Sequence, residues 1–276
     1  SNLLHRFSHK LQLEAGLRYT FSHIYGAYPD SMDRPVANLE GLNLSSHNHI
    51  FSGNIKFVYY PSDSWKISSV TSRGFNAPNV DDMLKVFPKG DIITIPNIDL
   101  SPEYSLSQEL SISKKFGEKI NLYSVGFYTR LKNAIVKDPI SWISVIGQDT
   151  ISGNMLSYGG EQLYTFANQN RENPVDIYGA TFGFQTDFWG ILLSGDFNIT
   201  KGRSHDVNSG PVAHIPPLFG KLELSKKLGD WYLQLFCLYS GDKKISDFDE
   251  AGVDNLDEAN SVRGLLLLDK PYGNSL

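Results

Sequence analysis

Cysteine is almost absent from this chain of 276 residues, and the single Cys237 excludes an internal disulfide framework and any CxxC metal site. Long apolar runs are missing too. Nothing approaches the roughly 20 consecutive apolar residues that a membrane-crossing helix needs. The opening Ser1-Asn2-Leu3-Leu4-His5-Arg6 lacks the charged-then-apolar pattern of a signal peptide. No basic cluster exceeds two residues and the net charge is −5, so the footprint of a nucleic-acid binder is absent. GxSxG, HExxH and P-loop patterns do not occur. Ser204, His205 and Asp206 are neighbours in sequence, which is no substitute for the geometry of a triad. These absences leave no catalytic residue, cofactor or metal site to name. If the chain reaches a membrane, it does so as strands.

What the chain does have is aromatic residues, turns and a period of two. Sixteen Phe, 14 Tyr and 4 Trp accompany 24 Gly and 13 Pro spread along the whole length, a composition of many turns. From Glu103 to Lys115, Tyr104, Leu106, Gln108, Leu110 and Ile112 alternate with Ser105, Ser107, Glu109, Ser111 and Ser113. That is a strand with one apolar and one wet face. Lys10 to His23 alternates likewise, through Leu11, Leu13, Ala15, Leu17, Tyr19 and Phe21. Further strands are expected near 50–60, 65–76, 119–135, 174–188, 190–201, 216–228 and 230–242, nine in all. In 119–135 the apolar face is read as Tyr123, Val125, Phe127 and Leu131, and these are expected to face lipid. Strand 65–76 is the least regular, with Ser69, Thr71 and Arg73 on its more apolar side.

Short and long connections alternate. Pro61–Ser64, Phe116–Glu118, Trp189-Gly190 and Gly229-Asp230 are tight turns; 26–48, 77–102, 136–173, 202–215 and 243–264 are long. A transmembrane β-barrel produces this pattern, with short periplasmic turns and long extracellular loops. Tyr59, Tyr60, Trp65, Phe116, Phe188, Trp189, Trp231 and Tyr232 crowd the short-turn end, where an interfacial girdle belongs. The expected fold is therefore all-β, an antiparallel up-and-down transmembrane barrel of which this chain carries nine or ten strands. The alternative is a soluble, secreted β-sandwich binding carbohydrate through aromatic loops, which would bury the same apolar faces. A passive porin is disfavoured by the lack of a charged ladder lining a constriction.

Thr71-Ser72-Arg73-Gly74-Phe75-Asn76-Ala77-Pro78-Asn79-Val80-Asp81-Asp82 resembles the "S-x-G-F-R-A-P-x-x-x-E/D-L" motif of TonB-dependent receptor barrels, with Gly74, Phe75, Ala77, Pro78 and Asn79 matching and Asn76 where Arg is usual. Asn97-Ile98-Asp99-Leu100-Ser101-Pro102-Glu103-Tyr104-Ser105 and Glu109 resemble the "N-x-x-L-x-P-E-x-S-x-x-x-E" element that follows it. Leu13–Tyr19 resembles the "L-x-A-G-x-R-Y" strand, and Ile215-Pro216-Pro217 a proline pair that opens a late strand. The resemblance implies the C-terminal part of a 22-stranded barrel, residues 1–276, without a plug domain. It also implies an outer-membrane receptor of a Gram-negative bacterium that takes up a ferric siderophore, haem, cobalamin or a glycan. Its implied partners are the TonB complex, acting through a plug not in this chain, and outer-membrane lipids.

Loops 77–102 and 136–173 are long for connections without function. The second carries Trp142, Tyr158, Tyr164, Phe166, Asn168 and Gln169, able to stack on and hydrogen-bond a bulky ligand, although the same residues would serve loop packing. His47 and His49, two apart, point one way and form an incomplete metal or haem pair, with surface histidines as the plainer reading. The acidic stretch Asp247–Glu258 has Asp at positions 1 and 3, Gly at 6 and Glu at 12 of a calcium loop, but Ala251 at position 5 breaks the template.

Overall fold

The computed structural model describes residues 2–27, 43–146, 149–205, 211–212, 215–244 and 247. The strands β1 (Asn2–Arg6), β2 (Leu11–Ala27), β3 (Asn43–Tyr59) and β4 (Trp65–Asn76) come first. A short helix α1 (Val80–Leu84) and the strands β5 (Phe87–Lys89) and β6 (Ile92–Thr94) follow. After β7 (Glu103–Phe116) and β8 (Ile120–Lys132) a second insertion holds β9 (Ile135–Pro139), β10 (Trp142–Ile146), β11 (Asp149–Gly153), β12 (Met155–Tyr158) and β13 (Glu161–Asn170). The chain continues through β14 (Val175–Phe188), β15 (Ile191–Ser204), β16 (Phe219–Leu228) and β17 (Trp231–Ser240).

Ten strands form one sheet in the order β1-β2-β3-β4-β7-β8-β14-β15-β16-β17, every neighbour antiparallel. The first and last strands do not pair with one another, so the sheet is part of a barrel. The nine expected strands are all present, and β1 adds a tenth. The first long connection is shorter than 26–48, because pairing continues from Tyr25↔Ser45 to Ala27↔Asn43. Ser45, Ser46, His47, Asn48 and His49 are polar on both faces and show no alternation, so backbone pairing alone extends the hairpin.

Directly paired residues point to the same side of a sheet, and the register separates two faces cleanly. Tyr19, Phe51, Ile55, Leu106, Leu110, Phe182 and Leu235 lie on one face, each at least half exposed. Among the described residues no second sheet covers them, as a sandwich would require. The other face carries Ser107, hydrogen-bonded to Thr129 at 2.8 Å, Ser113 to Asn121 at 2.9 Å, Thr181 to Asn198 at 2.7 Å, and a Lys56–Glu14 ion pair at 3.1 Å. Helix α1 folds over this polar side, where Met83 and Leu84 pack with Leu44 and Ile24. The polar face is therefore inward and the apolar face outward. Ser69, Thr71 and Gln108 are a polar exception on the outward face, and they satisfy one another: Thr71 donates to Gln108, whose amide donates to Ser69 at 2.8 Å.

The expectation for 119–135 was inverted. Tyr123, Val125 and Phe127 register with Ser113, Ser111 and Glu109 on the inward face, while Leu122, Gly126 and Tyr128 face outward. Glycine is the reason. Tyr123 is paired with Gly183 and Phe127 with Gly179, and a Cβ on either glycine would meet the partner ring at 2.1 Å and 2.8 Å. The rings lie over bare backbone, so two large side chains fit an otherwise polar wall. Hydrophobicity alone does not distinguish such rings from lipid-facing ones.

At the short-turn end, Tyr59, Phe116, Phe188, Trp189, Trp231 and Tyr232 are all exposed, as a girdle requires. Trp189 and Gly190 both have positive φ, 53° and 73°, between the paired Phe188 and Ile191. That two-residue turn matches the twist of a hairpin, and its first position strains a bulky residue.

Gly179→Ala is expected to lower the folded, heat-modifiable fraction of the detergent-extracted protein, because its Cβ would also meet the Ile199 carbonyl oxygen at 2.2 Å. Gly126→Ala, with nothing within 4 Å, serves as the control and is expected to leave that fraction unchanged.

Candidate functional site

The two insertions do not hang free. They build one small sheet, ordered β12-β13-β6-β5, with β9 paired to β13 beyond the end of β12. Strand β6 from the first insertion runs parallel to β13 from the second, with Tyr164↔Ile92 and Phe166↔Thr94 in register. A hydrophobic cluster of Ile93, Leu156 and Leu163, flanked by Tyr158, backs this sheet. The residues of the receptor-like motifs tie it to the barrel rim. Asn79 caps α1, accepting from the Asp82 N–H at 3.0 Å, while the Asp82 carboxylate accepts from the Asn79 N–H at 2.9 Å, a capping box. Pro78 is fully buried. Gly74 admits Ser105, whose Oγ stands 2.7 Å from where a Cβ would be.

Glu103 joins three segments. One carboxylate oxygen accepts from Asn76 Nδ2 at 2.8 Å and the other from the Ile135 N–H at 2.7 Å. Asn76, standing where the motif has Arg, thus meets this carboxylate. Asn170 binds the Ser101 backbone at both N–H and carbonyl and also donates to the Asn133 carbonyl, at 2.7–2.9 Å. Asn133 turns the chain with φ 55°, and its own amide reaches the Pro102 carbonyl at 3.5 Å. Asn97 donates to the Asn168 carbonyl at 2.8 Å, and Asn168 to the Asp82 carbonyl at 2.9 Å. Glu109 lies lower on the inward wall, opposite Val70 and Phe127. The motif residues around the rim hold backbone against backbone.

Register sorts the aromatic and amide candidates of the second loop. Tyr164, Phe166 and Asn168 share one face of the small sheet with Ile92, Thr94 and Lys137; pairing across β5 adds Phe87 and Lys89. Tyr158 and Gln169 lie on the opposite face, Tyr158 in the packed cluster. Trp142 opens β10, but its side chain lies outside the described residues. On the shared face Tyr164 and Phe87 are each 45% exposed. Thr94 is buried, and its hydroxyl has no hydrogen-bond partner among the described residues. Lys85 sits over the Phe87 ring at 5.2 Å and 3.9 Å from Asp81. Lys137 titrates below the ordinary lysine range, first because it is partly buried and then because Lys89 and Lys85 repel its charge. Three lysines thus converge beside aromatic rings. Lys85, Lys89, Thr94 and Lys137 escape the sequence reading because it treats 77–102 and 136–173 as two separate irregular loops. Gly159-Gly160, with φ 60° and 90° between β12 and β13, was the available hairpin signal.

The remaining candidates fall elsewhere. His47 and His49 do point one way, outward, together with His23: the His23 and His47 rings stack at 4.1 Å, and His49 Nδ1 is 2.6 Å from the Tyr19 hydroxyl. No group of three or more His, Cys, Asp or Glu side chains suited to a metal ion occurs among the described residues. His205 hydrogen-bonds Asp176 at 2.7 Å rather than completing a triad with Ser204. Asp206 and all of 247–258 except Asp247 lie outside the described residues.

A family model described as TonB dependent receptor-like, beta-barrel matches residues 3–269. No curated protein sequence matches the chain. Among solved structures, the copper transporter OprC superposes with a TM-score of 0.65 at 13% identity, over 91% of this chain and 35% of that one. A double mutant of the Serratia marcescens hemophore receptor HasR, in complex with its hemophore HasA and heme, gives 0.57 at 15%, over 87% and 44%. The siderophore receptor PirA from Acinetobacter baumannii gives 0.56 at 13%, over 93% and 35%. Identities this low speak for the fold alone, and the chain spans between a third and under half of these structures.

Glu103→Gln is expected to weaken the tie between rim and small sheet by about 1–2 kcal/mol, the scale of a charged hydrogen bond. Hydrogen exchange at the Ile135 amide should accelerate roughly 5- to 30-fold while heat-modifiability of the barrel persists.

Proposed function

The chain belongs to the β-barrel family of TonB-dependent receptors, and from that premise we propose that it forms part of an outer-membrane transporter importing an anionic metal chelate. Among the described residues its ten-stranded sheet leaves both edges unpaired, and in a bilayer such edges require further strands of the same barrel. As in the family, energy would come from the inner-membrane TonB complex acting on a plug within the closed ring.

The observation that carries the choice of solute is the lysine-rich face of the small sheet. Ferric tris-catecholates and haem carry net negative charge, whereas neutral glycans and cobalamin do not. Lys85, Lys89 and Lys137 supply attraction, with Tyr164, Phe166 and Phe87 supplying flat apolar surface. Burial and the neighbouring charges of Lys89 and Lys85 disfavour the ammonium form of Lys137, and a bound anion offsets both costs. The sign follows. With its pKa lowered in the fold, protonated Lys137 is penalised at neutral pH, and that penalty fades as pH rises into the lysine range. An anionic ligand reverses the trend and is held more tightly on the acid side. A structural neighbour described as a siderophore receptor accords with this class.

The test is binding of a ferric tris-catecholate, haem and a neutral oligosaccharide to the full-length receptor in detergent. The chelate or haem should bind with an affinity that falls with salt. Lys85→Gln/Lys89→Gln/Lys137→Gln should cost roughly 10- to 100-fold, as expected for desolvated charge pairs. Equal or tighter, salt-independent binding of the oligosaccharide would reject the proposal.

A further inference from the structure

The outward face is apolar along most of its height, but not at its loop end. In register across five adjacent strands stand Arg73, Leu106, Arg130, Asp176 and Arg203. The row beneath is Thr71, Gln108, Tyr128, Tyr178 and Lys201, and Tyr104 and Lys132 stand above. Five cations therefore meet a single carboxylate, although the chain as a whole carries −5. Asp176 is the only carboxylate on the outward face of the ten strands among the described residues, and it is already committed. Arg130 grips it with two bonds of 2.9 and 3.1 Å, and His205 holds it at 2.7 Å. Arg73, Lys132, Lys201 and Arg203 are exposed and form no ion pair among the described residues. Arg73 lies over the Tyr104 ring at 5.3 Å.

The height of these residues gives the charge its meaning. Arg73 lies eight residues beyond the strand start at Trp65, and Asp176 and Arg203 twelve residues from the turn at Phe188 and Ile191. At about 3.3 Å per residue and a tilt of about 40°, they stand roughly 20–30 Å above the short-turn rim, where an apolar band about 25 Å tall gives way to headgroups. Directly beside Arg73 the wall is notched at Gly53, whose missing side chain opens an apolar groove of about 730 Å³ lined outwardly by Ala15, Leu17, Phe51, Ile55 and Leu106.

We infer that this outward row binds the phosphate-bearing headgroup of an outer-leaflet lipid, with an acyl chain lying in the groove at Gly53. Arginines over tyrosine rings, with lysines beside them, match phosphate oxygens at an interface. The groove offers apolar contact below the charge, which a soluble anion has no means to use. The site is separate from the solute face of the small sheet, and neither reading depends on the other.

The test is native mass spectrometry of the full-length protein in detergent, titrated with diphosphorylated lipid A or with phosphatidylcholine. Lipid A should be retained preferentially, and millimolar inorganic phosphate should not displace it. Arg73→Gln/Lys201→Gln/Arg203→Gln should weaken retention roughly 100-fold, and each single substitution roughly fivefold. Lys226→Gln, an outward lysine at the opposite end, should change nothing. The single variants keep the test decisive if the triple variant fails to fold. Equal retention of phosphatidylcholine, unchanged retention in the single variants, or displacement by inorganic phosphate would overturn the inference.

Discussion

Every peptide group laid in hydrocarbon must find its hydrogen-bond partner within the protein, and the rest of this structure follows from that requirement. It forces the ten long strands into an uninterrupted antiparallel meander and makes register the controlling quantity. Once register is set, each residue's side of the wall is set with it, since a slip of one would exchange every inward for every outward side chain. Glycine pairing secures the register where hydrophobicity does not. Tyr123 over Gly183 and Phe127 over Gly179 fit only in one alignment.

Chain that leaves the bilayer is free of this constraint, yet the two large insertions are held almost as firmly. The ties run through backbone carbonyls and amides met by Asn97, Glu103, Asn168 and Asn170. Such short polar side chains reach only nearby backbone, which is why they cluster where the strands end and the loops turn inward. This arrangement separates support from recognition. The motif residues brace the rim, and the lysines and rings proposed to meet a solute lie on the small sheet they support.

The strands were legible in the sequence because period-two alternation and the alternation of short and long connections are both local signals. Sidedness was legible for β2 and β7, where one face is polar along almost its whole length. It failed for β8, because Tyr123 and Phe127 owe their place to Gly183 and Gly179, distant in the chain. The site was only partly legible. Tyr164, Phe166 and Asn168 do share a face, but Lys89, Thr94 and Lys137 join them only through parallel pairing between two insertions, a non-local contact that no period announces. The outward cation row was hidden for the same reason, since its members are scattered over three strands, β4, β8 and β15.

The assignment of inward and outward faces underlies the barrel reading, the solute face and the lipid row alike. Its most direct test is quenching by nitroxide-labelled lipid of a fluorophore placed at Tyr128→Cys or at Phe127→Cys, in a Cys237→Ser background of the full-length protein in bilayers. Strong quenching at 128 and little at 127 is the predicted result. Quenching at 127 with 128 protected would contradict the register-based assignment and the functional readings built on it.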